Sequence, residues 1–278
     1  MEAAALAAAR HIIEAALSKQ RLEVNVKEDA TLVLNLDIES QAIILEKLGG
    51  VLPVVAEEDP SSHRLIESAE DYLLVDPIDG TTSCKRFLSK RGGQVGFGPL
   101  LGYVQNGCLR LATFFNVPER TLYCAVRGEG CWLYRFDPAR PGAAGLPDLE
   151  DRRSVKNSDF PRLLHSALLF YPGTRGEVRI VEHLRRNDLI ENVYRFGGFA
   201  NDCVRLARGF EQIQIQFAVK AWDLPAVLFP VMAGLQAVFD PLGQTSEMES
   251  WVVSSNNPVI IAPPRSMTEL LAECAKLL

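Results

Sequence analysis

Histidine is scarce in this chain: there are four in 278 residues, and His11, His63, His165 and His183 stand apart from one another and from the acidic runs. Histidine-based phosphotransfer and zinc sites of the Cys/His type are therefore disfavoured. The six cysteines, Cys84, Cys108, Cys124, Cys131, Cys203 and Cys274, form no Cys-x-x-Cys pair and lie in apolar or mixed surroundings. They read as reduced, packed thiols of a cytosolic protein. Missing too are the Gly-x-x-x-x-Gly-Lys-Ser/Thr loop of nucleoside triphosphate enzymes, the Gly-x-Ser-x-Gly elbow and His-Glu-x-x-His. No apolar run reaches the roughly 18 residues needed to span a bilayer. Met1 to Gln20 is rich in alanine but carries Glu2 and Glu14 and no basic start, so a helix is expected there rather than a signal peptide, in a soluble, cytoplasmic protein. Dense Lys/Arg runs are absent, and 29 basic against 35 acidic residues give a net charge of −6, which argues against nucleic-acid polymers and anionic membranes as partners.

What the chain does have is length enough for one large domain or two lobes around a cleft, and two lobes are expected. Leu6, Ala9, Ile13, Ala16 and Leu17 recur at helical spacing and predict a first helix lying on a sheet. Asn25 to Thr31 reads as a polar loop, and a second helix is expected from Asp37 to the Gly49-Gly50 stop. Short β-rich runs follow as a meander: Gln94 to Leu101, Cys108 to Phe115 and Thr121 to Val126. Asp137 to Arg153, rich in Pro, Ala, Gly and charge, marks the boundary between lobes 1–150 and 151–278. Beyond it, strands at 164–171, 191–196 and 212–217 alternate with helices at 176–187 and 200–209, which suggests a largely parallel α/β layer. Asp223 is expected to open a helix holding Pro225 in its first turn, with Pro230 limiting its length. Further strands are expected at 236–240, 251–254 and 259–262, and a terminal helix from Met267.

The chemistry gathers at Asp76-Pro77-Ile78-Asp79-Gly80-Thr81-Thr82, after the apolar run Tyr72 to Val75. Pro77 biases Asp76 toward extended geometry, so a strand should reach Asp76 and turn sharply after it, with Gly80 permitting the turn and Thr81 and Thr82 starting a helix. Free amides at such a start favour phosphate. Acids also end other elements: Asp37, Glu57-Glu58 and Asp223. Singly, Asp37 and Asp223 fit helix caps as well as ligands, and Glu58 or Asp59 could serve in place of Glu57. Grouped in one cleft, these carboxylates would repel unless cations were bound, and an all-oxygen set favours Mg²⁺, Mn²⁺ or Ca²⁺ over zinc.

These motifs, Glu57-Glu58, Asp76 to Thr82 and Trp222-Asp223, resemble those of the inositol monophosphatase family, within the superfamily that includes fructose bisphosphatases and bisphosphate nucleotidases. The resemblance covers most of the chain. It implies a five-layer αβαβα sandwich with an α+β first lobe and an α/β second lobe. By the same resemblance, Glu57, Asp76 and the Ile78 carbonyl hold one Mg²⁺, Asp76, Asp79 and Asp223 a second, and Glu57 a weaker third through water. Thr81, supported by Asp37, and Glu57 would hold a metal-activated water, while Gly80, Thr81 and Thr82 receive the phosphate. Lys27 sits where the family has a mobile-loop lysine. Lithium inhibition and a homodimer are further implications.

Substrate selection is expected in Gly197, Gly198, Phe199 and Gln216, together with Asp223. Phe199 is large where the family has a small residue, and Gln216 stands where inositol phosphatases carry a Glu. Lys85, Arg86, Lys90 and Arg91 follow the metal motif as an exposed loop or, if turned inward, as a seat for a second phosphate. The expected activity is Mg²⁺-dependent hydrolysis of a small polyol, sugar or nucleotide phosphate. A bisphosphate nucleotidase or fructose-1,6-bisphosphatase is the alternative within the class, and a catalytically weak regulatory relative that binds metal and phosphate is the alternative outside it.

Overall fold

The computed structural model describes residues 1–18, 23–26, 32–89, 95–135, 153–156, 166–170, 175–194, 196–239 and 257–277. Lys27, Lys90, Arg91, His165, the strand expected at 251–254 and nearly all of the expected boundary loop lie outside them. In chain order the described elements are α1 (Glu2–Ser18), β1 (Val24–Val26), β2 (Leu32–Leu34), α2 (Asn35–Leu48), β3 (Val54–Ala56), α3 (Leu65–Ser68), β4 (Tyr72–Asp79) and α4 (Thr81–Leu88). Next come β5 (Gly98–Gln105), β6 (Cys108–Asn116), β7 (Thr121–Val126), β8 (Gly130–Arg135) and β9 (Arg153–Val155). The second half holds β10 (Ser166–Phe170), α5 (Arg175–Arg186), β11 (Ile190–Tyr194), α6 (Phe199–Ala207), β12 (Ile213–Val219), α7 (Leu228–Met232), β13 (Gln236–Val238), β14 (Asn257–Ala262) and α8 (Pro264–Ala275). Short 3₁₀ turns occupy Pro60–Ser62 and Ala221–Val227.

Two sheets carry the fold. The first runs β3-β4-β5-β6-β7-β8-β9, with β3 and β4 parallel and every later pair antiparallel, as the expected meander requires. Arg153–Val155 is its last strand, so this sheet continues past residue 150. The second runs β11-β10-β12-β14-β13, parallel among β11, β10 and β12 but antiparallel from β12 onward. It is thus a mixed sheet, not the largely parallel one read from the strand-helix alternation.

Period-2 burial sorts the side chains into layers. Leu73, Val75, Leu101, Phe115 and Leu122 face one way, against Ala5, Ala8 and Ile12 of α1 and Leu36 and Ile44 of α2. Their neighbours Leu74, Leu100, Phe114 and Tyr123 face the other way, against Cys203 and Leu206 of α6 and Leu228 and Phe229 of α7. The second sheet repeats the arrangement: Val259 and Ile261 join that inner cluster, whereas Ile260 and Ala262 pack outward on α5 and α8 through Ile180, Leu184, Met267 and Leu270. The order helix, sheet, helix, sheet, helix is the expected αβαβα sandwich. Strands buried on both faces explain why 72–75 reads as an unbroken apolar run.

Several boundaries differ from the sequence expectation. β4 does not end at Asp76 but continues through Asp79, with its pairing to β5 shifting between those two residues. Pro77 cannot donate to the ladder, and the shift accommodates it. β5 starts at Gly98 rather than Gln94, and Val24–Val26 pairs with Leu32–Leu34 where a polar loop was expected to begin. Both acid-led helices start two residues early, α2 at Asn35 and the 3₁₀ turn at Ala221. Pro230 falls in the first turn of α7, which is five residues long, as its helix-limiting effect predicts.

The inner layer sits tightly on the first sheet at Gly102 of β5, where an added β-carbon would run into the Pro225 ring. That ring is rigid, so the 3₁₀ turn carrying Asp223 would have to move. Gly102→Ala is expected to cost about 1–3 kcal/mol through overpacking, read as a lower urea midpoint without a change in slope.

Candidate metal and phosphate site

Four segments converge at the ends of β3, β4, α2 and the 221–227 turn. β4 delivers Asp76 and Asp79, both almost fully buried. Oxygens of Asp76, Asp79 and Asp223 all lie within 4.8 Å of one another, although Asp223 comes from far along the chain. Asp76 Oδ1 accepts the Ile78 amide at 2.9 Å, an amide that the bulge withholds from the ladder. Gly80 then turns the chain at φ +84°, ψ +41°, and Thr81 starts α4. A β-carbon at Gly80 would meet Phe97 Cβ at 3.2 Å and Gly198 Cα at 3.4 Å, so glycine is needed for space as well as for φ.

Asp37 and Asp223 are both caps and site residues. Each occupies the third position of its helix and reaches back to the amide before it: Asp37 Oδ2 accepts from Leu34 at 2.6 Å, and Asp223 Oδ2 from Lys220 at 3.2 Å. The second oxygen of Asp37 is 3.3 Å from Thr81 Oγ1, which lies equally close to the Ile78 carbonyl oxygen. The hydroxyl proton is thus directed away from the space in front of Thr81. The two readings weighed from sequence are not exclusive, because a carboxylate has two oxygens.

Among the three consecutive acids after β3, geometry separates the roles. Asp59 Oδ1 is turned to the Ser61 amide at 3.1 Å and hydroxyl at 2.6 Å, as the cap of the 60–62 turn. The Glu58 amide donates to Gln41 Oε1 at 3.1 Å. Glu57 is the residue whose charge acts on Asp76, Asp79 and Asp223, although it stands outside their 4.8 Å group.

Asp79 has a role that the sequence did not disclose. Its two oxygens accept the Phe199 and Ala200 amides, each at 3.0 Å, which are the first two of α6. No side chain within α6's own flank caps that helix, so a β4 carboxylate does so from the other half of the chain. The approach demands Gly198, where a β-carbon would meet Asp79 Oδ2 at 2.8 Å. Asp202, fully buried in the first turn of α6, was also missed; its signal is an acid in the turn after Gly197-Gly198. Nearby, Asn116 Nδ2 donates to Asn201 Oδ1 at 3.3 Å.

The expected substrate-selecting residues divide. Phe199 contributes its amide to Asp79, while its ring belongs to the inner core cluster rather than to an open wall. Gln216 lies on the inner face of β12 with its Oε1 buried and unbonded among the described residues. Lys85 is partly buried and Arg86 exposed, and neither forms an ion pair among the described residues.

Electrostatics follow from this crowding. Burial, then the charges of Glu57, Asp79 and Asp223, hold the Asp76 carboxyl well above the usual carboxylate range. Burial and then the Asp79 and Glu57 charges do the same to Asp223, against the Lys220 amide bond that lowers it. Asp79 is pushed up to about 7 by burial and then by Asp202, with its two α6 amides working in the opposite direction. Such a set of close, desolvated, oxygen-only donors fits a hard divalent cation such as Mg²⁺. The sign of the pH effect follows. An acid whose folded pKa exceeds its unfolded value, about 3.9, costs no stability below that value and a growing amount as the pH rises through the folded one. In EDTA, the melting temperature is expected to be higher at pH 5 than at pH 8. Added Mg²⁺ should raise it mainly at pH 8, as scanning calorimetry would show; a pH-independent Mg²⁺ effect would count against the cluster as its seat.

Comparison with known proteins agrees with the fold. The family model described as "Inositol monophosphatase family" matches residues 1–276. A relative described as a putative Nus factor SuhB, from Neisseria meningitidis serogroup A, is 25% identical over 262 residues, covering 93% of this chain and 92% of its own length. A 3'(2'),5'-bisphosphate nucleotidase CysQ from Salmonella typhimurium is 32% identical over 111 residues, which are 39% of this chain and only 43% of the nucleotidase. Among solved structures, an IMPase/NADP phosphatase complexed with Mg²⁺ and phosphate superposes with a TM-score of 0.71 at 21% identity, covering 95% of this chain and 89% of that one. From its first residues to its last helix, this chain belongs to the inositol monophosphatase family.

Proposed function

We propose that this protein is a Mg²⁺-dependent phosphomonoesterase acting on a small polyol, sugar or nucleotide phosphate. The observation that carries the reading is the meeting of the buried Asp76 and Asp79 with the half-buried Asp223, whose mutual repulsion a bound cation would relieve. Glu57, Asp76, Asp79, Asp223 and the Ile78 carbonyl would hold two or three ions. Ions bound there supply positive charge to the phosphate oxygens and lower the pKa of water.

The chain's own groups do the positioning. The Thr81 hydroxyl has its proton turned toward Asp37 and Ile78, so it offers lone pairs to a water proton. Glu57 would take the other side of that water as acceptor. The amides of Gly80, Thr81 and Thr82, at the turn into α4, are the groups that would receive the phosphate oxygens. The leaving group would depart toward Gly197, Gly198 and Gln216, across the junction of the proposed lobes 1–150 and 151–278. A phosphate dianion repels an incoming nucleophile, and such positioning with charge compensation is most of what its hydrolysis requires.

A second reading, a metal- and phosphate-binding protein with a regulatory role, draws support from the Nus factor name of the full-length Neisseria relative. The CysQ likeness supports a bisphosphate nucleotide as substrate. Phosphate release from inositol monophosphate, fructose 1,6-bisphosphate and adenosine 3′,5′-bisphosphate, with Mg²⁺ and with EDTA, separates these readings. Metal-dependent turnover of one ester is expected; no turnover of any, by folded protein, leaves the regulatory reading. Asp76→Asn and Asp79→Asn are each expected to lower turnover by about 100-fold or more. In EDTA, Asp79→Asn should be the less stable of the two by about 1–3 kcal/mol, because an amide side chain cannot accept from both α6 donors.

A further inference from the structure

A second pocket lies at the opposite end of α6 from Asp79. It has a volume of about 350 Å³ and is walled by Thr121, Tyr123 and Leu133 with Arg135, Arg153, Arg208 and Glu119 around them. The sheet register explains the grouping. Tyr123 pairs with Leu133, Thr121 with Arg135, and Leu133 with Arg153, so these side chains share one face of β7, β8 and β9. Arg208, which caps the C-terminus of α6, closes the pocket by donating from Nη1 to Glu119 Oε2 at 3.0 Å and to the Tyr123 hydroxyl at 2.9 Å. Tyr123 in turn donates to Glu119 Oε2 at 2.9 Å.

Three guanidiniums therefore face one carboxylate, and that carboxylate is already engaged by Arg208 and Tyr123. The Arg135 and Arg153 side chains form no ion pair or hydrogen bond among the described residues. Like charges held on one face of adjacent strands repel, and guanidinium forks match phosphate oxygens in pairs. Nine residues of α6, at 1.5 Å each, separate this pocket from the acidic cluster by about 14 Å, more than the Debye length of about 10 Å at 0.1 M salt. We propose that this pocket is a separate anion site, taking a small soluble polyanion of the di- or triphosphate type on Arg135, Arg153 and Arg208. Its volume admits such a molecule, and Glu119 with Tyr123 fixes the Arg208 fork that would meet it.

The site can be tested whether or not the phosphatase reading holds, on protein stripped of divalent metal and then freed of the chelator, so that the carboxylate cluster repels anions. Pyrophosphate serves as the probe, in titration calorimetry on the full chain at matched ionic strength. Saturable binding is expected, with affinity reduced at least tenfold in the Arg135→Gln/Arg153→Gln double variant. Both side chains are exposed, and in anion-free buffer the double variant should melt no lower than the wild type, because it removes repulsion. An unchanged affinity in the variant overturns the proposal. So does a wild type that shows no saturation at concentrations on the order of 10 mM, where even millimolar binding would register. A double variant that melts several degrees lower without anion would mark the arginines as structural and likewise overturn it.

Discussion

The carboxylate of Asp79, bound by the Phe199 and Ala200 amides, ties the two halves of this molecule together. A helix start leaves amides without partners, and inside a layered protein they must find acceptors. Here the acceptor arrives from the last residue of β4, so α6 is set by the same strand that carries the acidic cluster. Gly198 leaves room for it, and Gly80 provides the turn that brings the backbones within contact. The inner layer then follows: α6 and α7 fill the space between the sheets, and Gly102 of the first sheet receives Pro225 beside Asp223.

That arrangement accepts an electrostatic cost. Asp76 and Asp79 are buried, the half-buried Asp223 lies close to them, and the Glu57 and Asp202 charges are within reach, while the hydrogen bonds from Ile78, Phe199, Ala200 and Lys220 offset only part of the repulsion. Packing of both sheets against the inner helices supplies the stability that holds the charges together.

The layers were legible because burial on both faces leaves unbroken apolar runs, as in Tyr72 to Val75, and because helical spacing marks α1. The Asp76 and Asp79 part of the acidic cluster was legible because these acids lie close in sequence at the end of an apolar run, and Asp223 entered through the family resemblance. What escaped depends on contacts between distant segments. The bulge that lets β4 run past Pro77 depends on pairing with β5, and the Asp79 bond to α6 joins residues 120 positions apart. The family resemblance marks Phe199 as substrate-selecting but does not tell where its ring goes; its place in the inner core is decided by which face of α6 meets the sheets. Asp202 gave only the faint signal of an acid in a first helical turn, and the antiparallel half of the second sheet depends on β14, which local patterning does not orient.

The raised carboxyl of Asp79 also makes the hydrogen ion a rival for the place of a metal. Without any cation the cluster holds its protons to a higher pH than free carboxylates do, because burial and then the Asp202 charge push the Asp79 carboxyl up. A divalent ion entering there would expel those protons into solution. The heat of metal uptake would then vary with the ionisation enthalpy of the buffer.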